Sequence, residues 1–524
     1  MKFTLSFFAA SLPLAWASFK PGCESAPWDS EIDFWNTKYT SSDALPFAPE
    51  YNNTFVRIRN RQRREIILHC TNEAPQIEIS PDHEPLIVKV PVENVTALDG
   101  YSQHLIDMLG MSSSIKRVQE QSTSSCIRGL TRENNTYEID NWSEAPETEV
   151  TFHDDAAASG DNSRVLIYND GRYAPLHQLG YIKLIGMFFG MEEQADAIYS
   201  AIAANYRCAA AQVQDMAMNN DYPSGAFISA YQKEEDSLSL FQNDYWTVLS
   251  TDAGSRLVNV SSDGSGDDVN VATDSEIFVK QSWAMIDTTQ YRSGQRPIDR
   301  VDEAAWEDLS DVPTGIYAVK HDNVWLSDRQ TNRNLTHNFF ARGPARPDLV
   351  LRDLISVVKP DFDESYTKTF LRSPDNPDDF DAQRRMTSSL NNCPPRRTAN
   401  PQIGKSDTCI ASDATISSLG LTECTLPDWA GGYHSSGLSA NAYNPAAADD
   451  EVASLALSGN GSGLSTGEKA GAAIGAILGA AAIAGAVFAA FWFKKRSARR
   501  NAHKQREVEE GKIGDKTSIS SIGS

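Results

Sequence analysis

Between residues 18 and 362 the sequence has no GxSxG, no HExxH and no P-loop. The usual hydrolase, metalloprotease and nucleotide chemistries therefore have no foothold there. Paired carboxylates such as Asp267-Asp268 sit in polar loops with no sign of burial, so a glycosidase lacks the means to raise a carboxyl pKa. Among seven cysteines and nine histidines there is no CxxC and no His/Cys cluster at zinc spacing. The expectation is a protein that is not an enzyme. Positive charge is scarce too: 47 Lys and Arg against 70 Asp and Glu leave −23. Nine of those cations fall in the tail from Lys494 with four acids, roughly +5, so the remainder sits near −28 (−23 minus +5). An acidic exterior of that kind excludes nucleic acid and anionic lipid surfaces as natural partners.

Long apolar runs are few, and each has a place. Lys2, an apolar stretch over 3–14 and Ala15-Trp16-Ala17 form a basic start, a short core and a small-x-small cleavage site, so 1–17 is expected to be a secretory signal. The run 470–493 is uncharged and 24 residues long, enough for about 30 Å of hydrocarbon. Lys494, Lys495, Arg496, Arg499 and Arg500 follow it at once, which places the tail 494–524 inside and the rest outside. The expected topology is a type I plasma-membrane protein, with endosomal membrane as a further station. Gly471, Gly475 and Gly479 form overlapping GxxxG spacings, compatible with a homodimer through that face. Seven N-x-S/T sequons (Asn52, Asn94, Asn134, Asn141, Asn259, Asn334, Asn460) all lie between the two apolar segments, as in a glycoprotein ectodomain.

All seven cysteines (Cys23, Cys70, Cys126, Cys208, Cys393, Cys409, Cys424) are extracellular on this topology, where disulfides persist. Sequence does not fix their pairing; Cys23 with Cys70, and a pair within the last three, are the expected bonds.

Within the body, 191–218 contains no Gly or Pro, and its apolar residues recur at Ala195, Ile198, Ile202, Tyr206, Ala209, Val213 and Met216. Steps of three and four predict one helix of about 40 Å, with Glu192 and Glu193 favouring its N-terminal dipole. On either side, strand and helix signals mix. The alternating 54–59 and apolar 65–69 read as a hairpin. The segments 86–90 and 92–98 lead into Asp99-Gly100-Tyr101-Ser102 and a helical spacing closed by Gly110, half of a β-α-β unit. Further strands are expected at 148–152, 164–168 and 226–231, and an amphipathic helix at 348–358. The fold class is α/β: two α/β lobes joined by one long helix, plus a stalk and a membrane helix. The expected segments are 18–80 (Cys-containing segment and hairpin), 81–190 (lobe one), 191–218 (connector), 219–362 (lobe two) and 363–469 (Cys-containing stalk and linker).

Several stretches resemble the class III substrate-binding proteins of ABC importers. LIVKVPVENVTALDGYSQHLIDMLGMSSSIKRV (86–118) is similar to that family's first strand, loop and helix. The helix 191–218 after Gly190 is similar to its connector, and DYWTVLSTDAGSRLVN (244–259) to its second-lobe loop and helix. Residues 304–328 and 345–362 resemble its C-terminal strand and last helix. The resemblance spans about 51–362, and the segments around Cys23 and Cys70 look like a eukaryotic, membrane-anchored variant. It departs from the pattern at Asp99-Gly100-Tyr101-Ser102, where Ser or Thr is usual.

The resemblance implies a periplasmic-binding-protein-like, solute-binding protein that captures a ferric siderophore or other iron complex, another metal chelate, haem or a corrinoid such as cobalamin, with no covalently bound cofactor. A transporter or uptake partner would then act downstream. Ligand contacts are expected on loops facing the cleft: Asp99, Tyr101 and Ser102 in lobe one, and Tyr231, Tyr245, Trp246, Trp283, Tyr291, Arg292, Arg342 and Arg346 in lobe two. Arginine supplies a rigid fork for anions and aromatics supply flat apolar walls, which suits an anionic chelate. His153, Asp154 and Asp155 are candidate metal ligands, with His177 and His337 as partners if folding brings them near. The competing reading is an adhesion or scaffold protein that keeps the fold without a small ligand.

Overall fold

The computed structural model describes residues 19–375, apart from short internal segments, together with 384–385. The expected signal 1–17, the expected span 470–493, the tail and most of the expected stalk lie outside the described residues. Among the described residues no helix is long and apolar enough to cross a membrane.

The hairpin forms as the alternation predicts. Strands β1 (Ala48–Tyr51), β2 (Phe55–Arg59), β3 (Glu65–His69) and β4 (Leu86–Lys89) make a four-stranded sheet, with Phe55 opposite His69 and Arg59 opposite Glu65. Val56 and Ile58 face inward while Arg57 and Arg59 pair outward with Glu65 and Glu50. Cys23 and Cys70 form the expected disulfide, with Cα atoms 5.6 Å apart. Cys126 and Cys208 are also buried and disulfide-bonded.

The first parallel sheet has the order β7-β6-β5-β8-β9, with β5 (Val95–Ala97) central and flanked by β6 (Ile115–Val118) and β8 (Val150–His153). Its edges are β7 (Tyr137–Glu138) and β9 (Arg164–Leu166). Helix α1 (Gly100–Met108) follows β5 and stops where Gly110 turns left-handed at φ 71°, a conformation in which a side chain is strained. Helix α2 (Ser125–Arg132) follows β6.

Helices α3 (Pro175–Leu179) and α4 (Tyr181–Phe189) lead to the left-handed Gly190 and then to α5 (Glu192–Met218), within a residue of the predicted helix. Ala195, Ile198, Ile202, Tyr206, Ala209 and Val213 are all buried, so the predicted stripe is the packed one.

The second parallel sheet has the order β13-β11-β10-β14-β17, with β10 (Phe227–Lys233), β14 (Ser282–Asp287) and β17 (Val324–Leu326) parallel. Strands β11 (Leu238–Leu240) and β13 (Asp268–Val269) continue it antiparallel, and β12 (Arg256–Leu257) pairs with β10. The hairpin β15 (Arg292–Ser293) with β16 (Arg296–Pro297) stands apart, as does the pair β18 (Gln330–Thr331) and β19 (Arg384–Arg385). The helices here are α6 (Asp244–Asp252), α7 (Glu303–Ser310), α8 (Tyr317–Lys320), α9 (Asn338–Arg342) and α10 (Pro347–Val358). The two apolar segments flanking 321–323 thus differ, the first a helical turn and the second a strand.

One expectation is revised. Residues 366–373, assigned above to the stalk, belong to the folded body: Phe370, Leu371 and Arg372 are fully buried. The Asp353 carboxylate holds them, accepting from Tyr366 Oη (2.6 Å) and from the N–H groups of Thr369 (2.7 Å), Phe370 (2.6 Å) and Leu371 (3.0 Å). The long helix is also no bare rod. It packs along α10 and against α4 and α6, and one hydrophobic cluster runs from the first sheet through α5 to Ile228, Ala284 and Ile286 of the second. The described residues belong to one compact unit.

Candidate functional site

In parallel sheets the loops leaving the carboxyl ends of the strands are free to carry ligand-facing groups. Asp99 leaves β5 and caps α1: its carboxylate accepts from Ser102 N–H at 2.7 Å and from Ser102 Oγ at 2.8 Å. Burial, reinforced by the nearby Asp154 carboxylate, pushes Asp99 up to about 7 against those hydrogen bonds. Tyr101 is fully buried and its hydroxyl donates to the Gln178 carbonyl at 2.6 Å. The Gln178 side chain donates to Asn169 Oδ1 at 2.6 Å, and Asn169 Nδ2 donates to the Phe340 carbonyl at 3.2 Å. Asn169 lies just beyond β9 and Phe340 lies in α9, so this chain of bonds runs from the first sheet to the second half of the molecule.

The seam between α1 and α9 is closed at the start of α1. A Cβ on Gly100 would stand 2.6 Å from the Ala341 Cβ, so glycine is what lets the two helices meet. A second closure has Gly171, at φ 79°, against the Asn243 side chain, while Tyr245 N–H donates to the Gly171 carbonyl at 2.9 Å.

Charged groups crowd this seam. His104 contacts Thr123 Oγ1 at 2.9 Å, and burial together with the Arg342 charge drives its pKa down to about 3. Asp107 accepts from Ser112 Oγ (2.5 Å) and Ser124 Oγ (2.9 Å), with burial raising its pKa. Arg346 is held by Asp348 through two bonds of 2.9 and 2.8 Å. Arg342 is half-buried beside these groups and, among the described residues, has no hydrogen-bond acceptor and no ion pair. Burial and the Arg346 charge lower its pKa to about 10, against the opposing pull of the neighbouring Asp348 and Asp107 carboxylates.

At the carboxyl end of the second sheet a buried polar knot closes around Asp287, the last residue of β14. Its carboxylate accepts from Tyr291 Oη (2.5 Å), Trp306 Nε1 (2.8 Å) and Thr289 N–H (2.8 Å). Beside it a small cavity is lined by Thr289, Tyr291, Val301, Leu326, Asp328 and His337. Arg372, fully buried, donates to Asp328 at 2.6 and 2.8 Å, and His337, whose pKa burial lowers, contacts Ser327 Oγ at 3.1 Å.

The structure brings Asp99, Tyr101, Ser102 and Arg342 to the α1–α9 seam and sorts the other sequence candidates elsewhere. Tyr245 adjoins that seam through Gly171, while Trp246 is stacked between Phe241 (5.8 Å) and Phe339 (5.9 Å) as core packing. Tyr231 and Tyr291 belong to the second-sheet knot. Trp283 is corrected as a cleft residue: it lies at the amino end of β14, the edge opposite Asp287, and packs against the core. Arg292 is exposed on the β15–β16 hairpin and bonds Gln290 at 2.9 Å, far from a desolvated site in character. His153 is buried and Asp154 exposed, Asp155 lies outside the described residues, and His177 stacks on Tyr173 at 4.6 Å. Among the described residues no three His, Cys, Asp or Glu side chains are grouped to hold a metal ion. Sequence reasoning missed Asp107, Asp287 and Asp328: Asp328 meets Arg372 44 residues away, while Asp107 and Asp287 have nearby partners (Ser112, Thr289 and Tyr291) in no recognisable motif.

No family model matches this sequence, and no curated protein matches it either. Solved structures do. A periplasmic haem-binding protein from Pseudomonas aeruginosa is 12% identical, covering 54% of this chain and 98% of its own, with TM-score 0.41. The petrobactin-binding protein from Bacillus subtilis is 13% identical over 52% and 94%, with TM-score 0.38. An ABC transporter substrate-binding protein from Listeria monocytogenes is 12% identical over 51% and 99%, with TM-score 0.37. All three are solute-binding proteins by name, not enzymes. At such identities and scores the site has to be argued from this chain's own residues.

Proposed function

We propose that this chain is a cell-surface solute-binding receptor that captures a small anionic complex at the α1–α9 seam, between its two parallel sheets. One observation carries the reading. Arg342 is a half-buried guanidinium with no acceptor among the described residues, in a chain with acidic residues to spare. Its nitrogens are not sealed from solvent, so an anion can reach them, and a charge-assisted pair there would offset the partial desolvation that lowers its pKa. Asp99, half-buried at the start of the facing helix, would offer a carboxyl to the same ligand, with the buried Ser102 holding it in place. An iron complex, another metal chelate, haem or a corrinoid bearing carboxylates would fit this chemistry. The secretory signal and the span 470–493 support display on the plasma membrane with the seam outside, and a separate uptake protein would be required for transport.

The test titrates the chain with ferric citrate, haem, cobalamin and Fe³⁺ alone, followed by tryptophan fluorescence. We expect saturable binding of an anionic member, weakened about 10- to 100-fold by Arg342→Gln, the size expected for one charge-assisted hydrogen bond to a buried partner. Binding unaffected by that substitution would sink the reading.

The Gly100–Ala341 contact favours a second reading, adhesion or scaffolding, because it closes the seam. On that reading no chelate binds and Arg342→Gln leaves cell attachment unchanged.

A further inference from the structure

We propose that Asn52, Asn134 and Asn334 are N-glycosylated and that Asn94 is not. The sequons at Asn141, Asn259 and Asn460 lie outside the described residues. The four within them share the motif and differ in setting, so the fold decides which can carry a sugar.

Asn52 is exposed in the turn joining β1 and β2, where its N–H donates to the Phe55 carbonyl at 2.8 Å. Asn134 is exposed just past α2 at φ 58°, a left-handed position that asparagine tolerates, with its N–H on the Thr131 carbonyl at 3.1 Å. Asn334 is exposed in a turn that the Asn332 side chain organises, accepting from the N–H groups of Asn334 (2.8 Å) and Thr336 (3.0 Å). In all three the main chain fixes the turn; among the described residues none of the four sequon carboxamides, Asn94 included, makes a hydrogen bond, so exposure and setting separate them. A glycan there displaces nothing.

Asn94 is different. It is half-buried where the chain enters the central strand of the first sheet. Its N–H donates to the Glu149 carboxylate at 2.8 Å, and its carbonyl accepts from Glu149 N–H at 2.9 Å. The same carboxylate accepts from Glu93 N–H at 2.7 Å, and Thr96 Oγ1 is 2.9 Å from Thr148 Oγ1. A sugar on Asn94 would crowd the point where β5 and β8 begin to pair.

The transfer takes an activated donor of the polyprenyl-diphosphate oligosaccharide class. Asn Nδ2 attacks the anomeric carbon, the C–O bond to the diphosphate breaks as the C–N bond forms, Nδ2 loses one proton and the polyprenyl diphosphate leaves.

The test expresses the full chain in a eukaryotic secretory host and removes glycans with peptide N-glycosidase in heavy-oxygen water, which marks every formerly glycosylated Asn as labelled Asp. Peptide mass spectrometry should find the label at positions 52, 134 and 334, with Asn94 unlabelled. Asn52→Gln, Asn134→Gln and Asn334→Gln should each remove one step of gel mobility, and Asn94→Gln none. Label missing from any of the three, or present on Asn94 to the same extent, overturns the proposal.

Discussion

Asp99, the N-cap of α1, and His104, about one and a half turns further along, titrate in opposite senses. Burial holds Asp99 at about 7 against 3.8 for a free carboxyl, so folding favours its protonated form. Its contribution to stability is complete below about pH 4 and is lost as pH rises through 7. Burial holds His104 at about 3 against 6.5, so its contribution is complete above 6.5 and is lost as pH falls toward 3. The two partly cancel in the native protein, and substitutions separate them. Asp99→Asn should be more stable than the native chain at pH 8, with the gap closing by pH 4; His104→Gln should gain relative stability as pH falls from 6.5. Urea midpoints measured from pH 4 to 8 check both, and pH-independent gaps would refute the assignment. Residue type alone made Asp99, Ser102 and Arg342 legible as candidates. That Arg342 is unpaired among the described residues while Arg346 is satisfied was not legible, because the difference lies in which of the two the Asp348 carboxylate reaches.

At the scale of elements, local periodicity was informative and long-range pairing was not. The stripe from Ala195 to Val213 fixed α5 to within a residue, since one packed face of a helix writes itself into the sequence. Segment 366–373 has no such period: three backbone N–H groups and a tyrosine converge on one carboxylate of α10, and nothing local announces that. The approach of α1 to α9 is of the same kind. Gly100 reads as a loop glycine in sequence, yet its function is to let Ala341 come close. Gly100→Val should therefore force the helices apart at a cost of about 1–3 kcal/mol, the usual penalty of overpacking. It should also shift the fluorescence of Trp246, which stacks on Phe339 of α9. Ala341→Gly in the same chain should restore most of the loss. Without that rescue the contact is not what glycine serves.

Over the whole molecule, the N-terminal segment acts as a strap across the helical layer. Phe19 packs over Gly190, Tyr39 Oη donates to the Glu192 carbonyl at 2.9 Å, and the buried Lys183 lies between Asp196 (2.8 Å) and the rings of Tyr39 and Tyr199. The Cys23–Cys70 bond ties this strap to the end of β3 and closes a loop with a sequence separation of 47 residues. On chain-entropy grounds such a loop is worth about 4 kcal/mol, and typical native bonds give about 2–4. Because the strap grips the α4–α5 corner rather than either parallel sheet's carboxyl edge, losing the bond should lower global stability without touching the α1–α9 seam. Cys23→Ala with Cys70→Ala should lower the urea midpoint and open 19–39 to proteolysis, while leaving the chelate affinity proposed for the Arg342 seam within about twofold, as expected for well-separated sites. A double variant with an unchanged midpoint would show that the strap is held by its aromatic contacts alone. One that lost chelate affinity along with stability would show that strap and seam are a single cooperative structure.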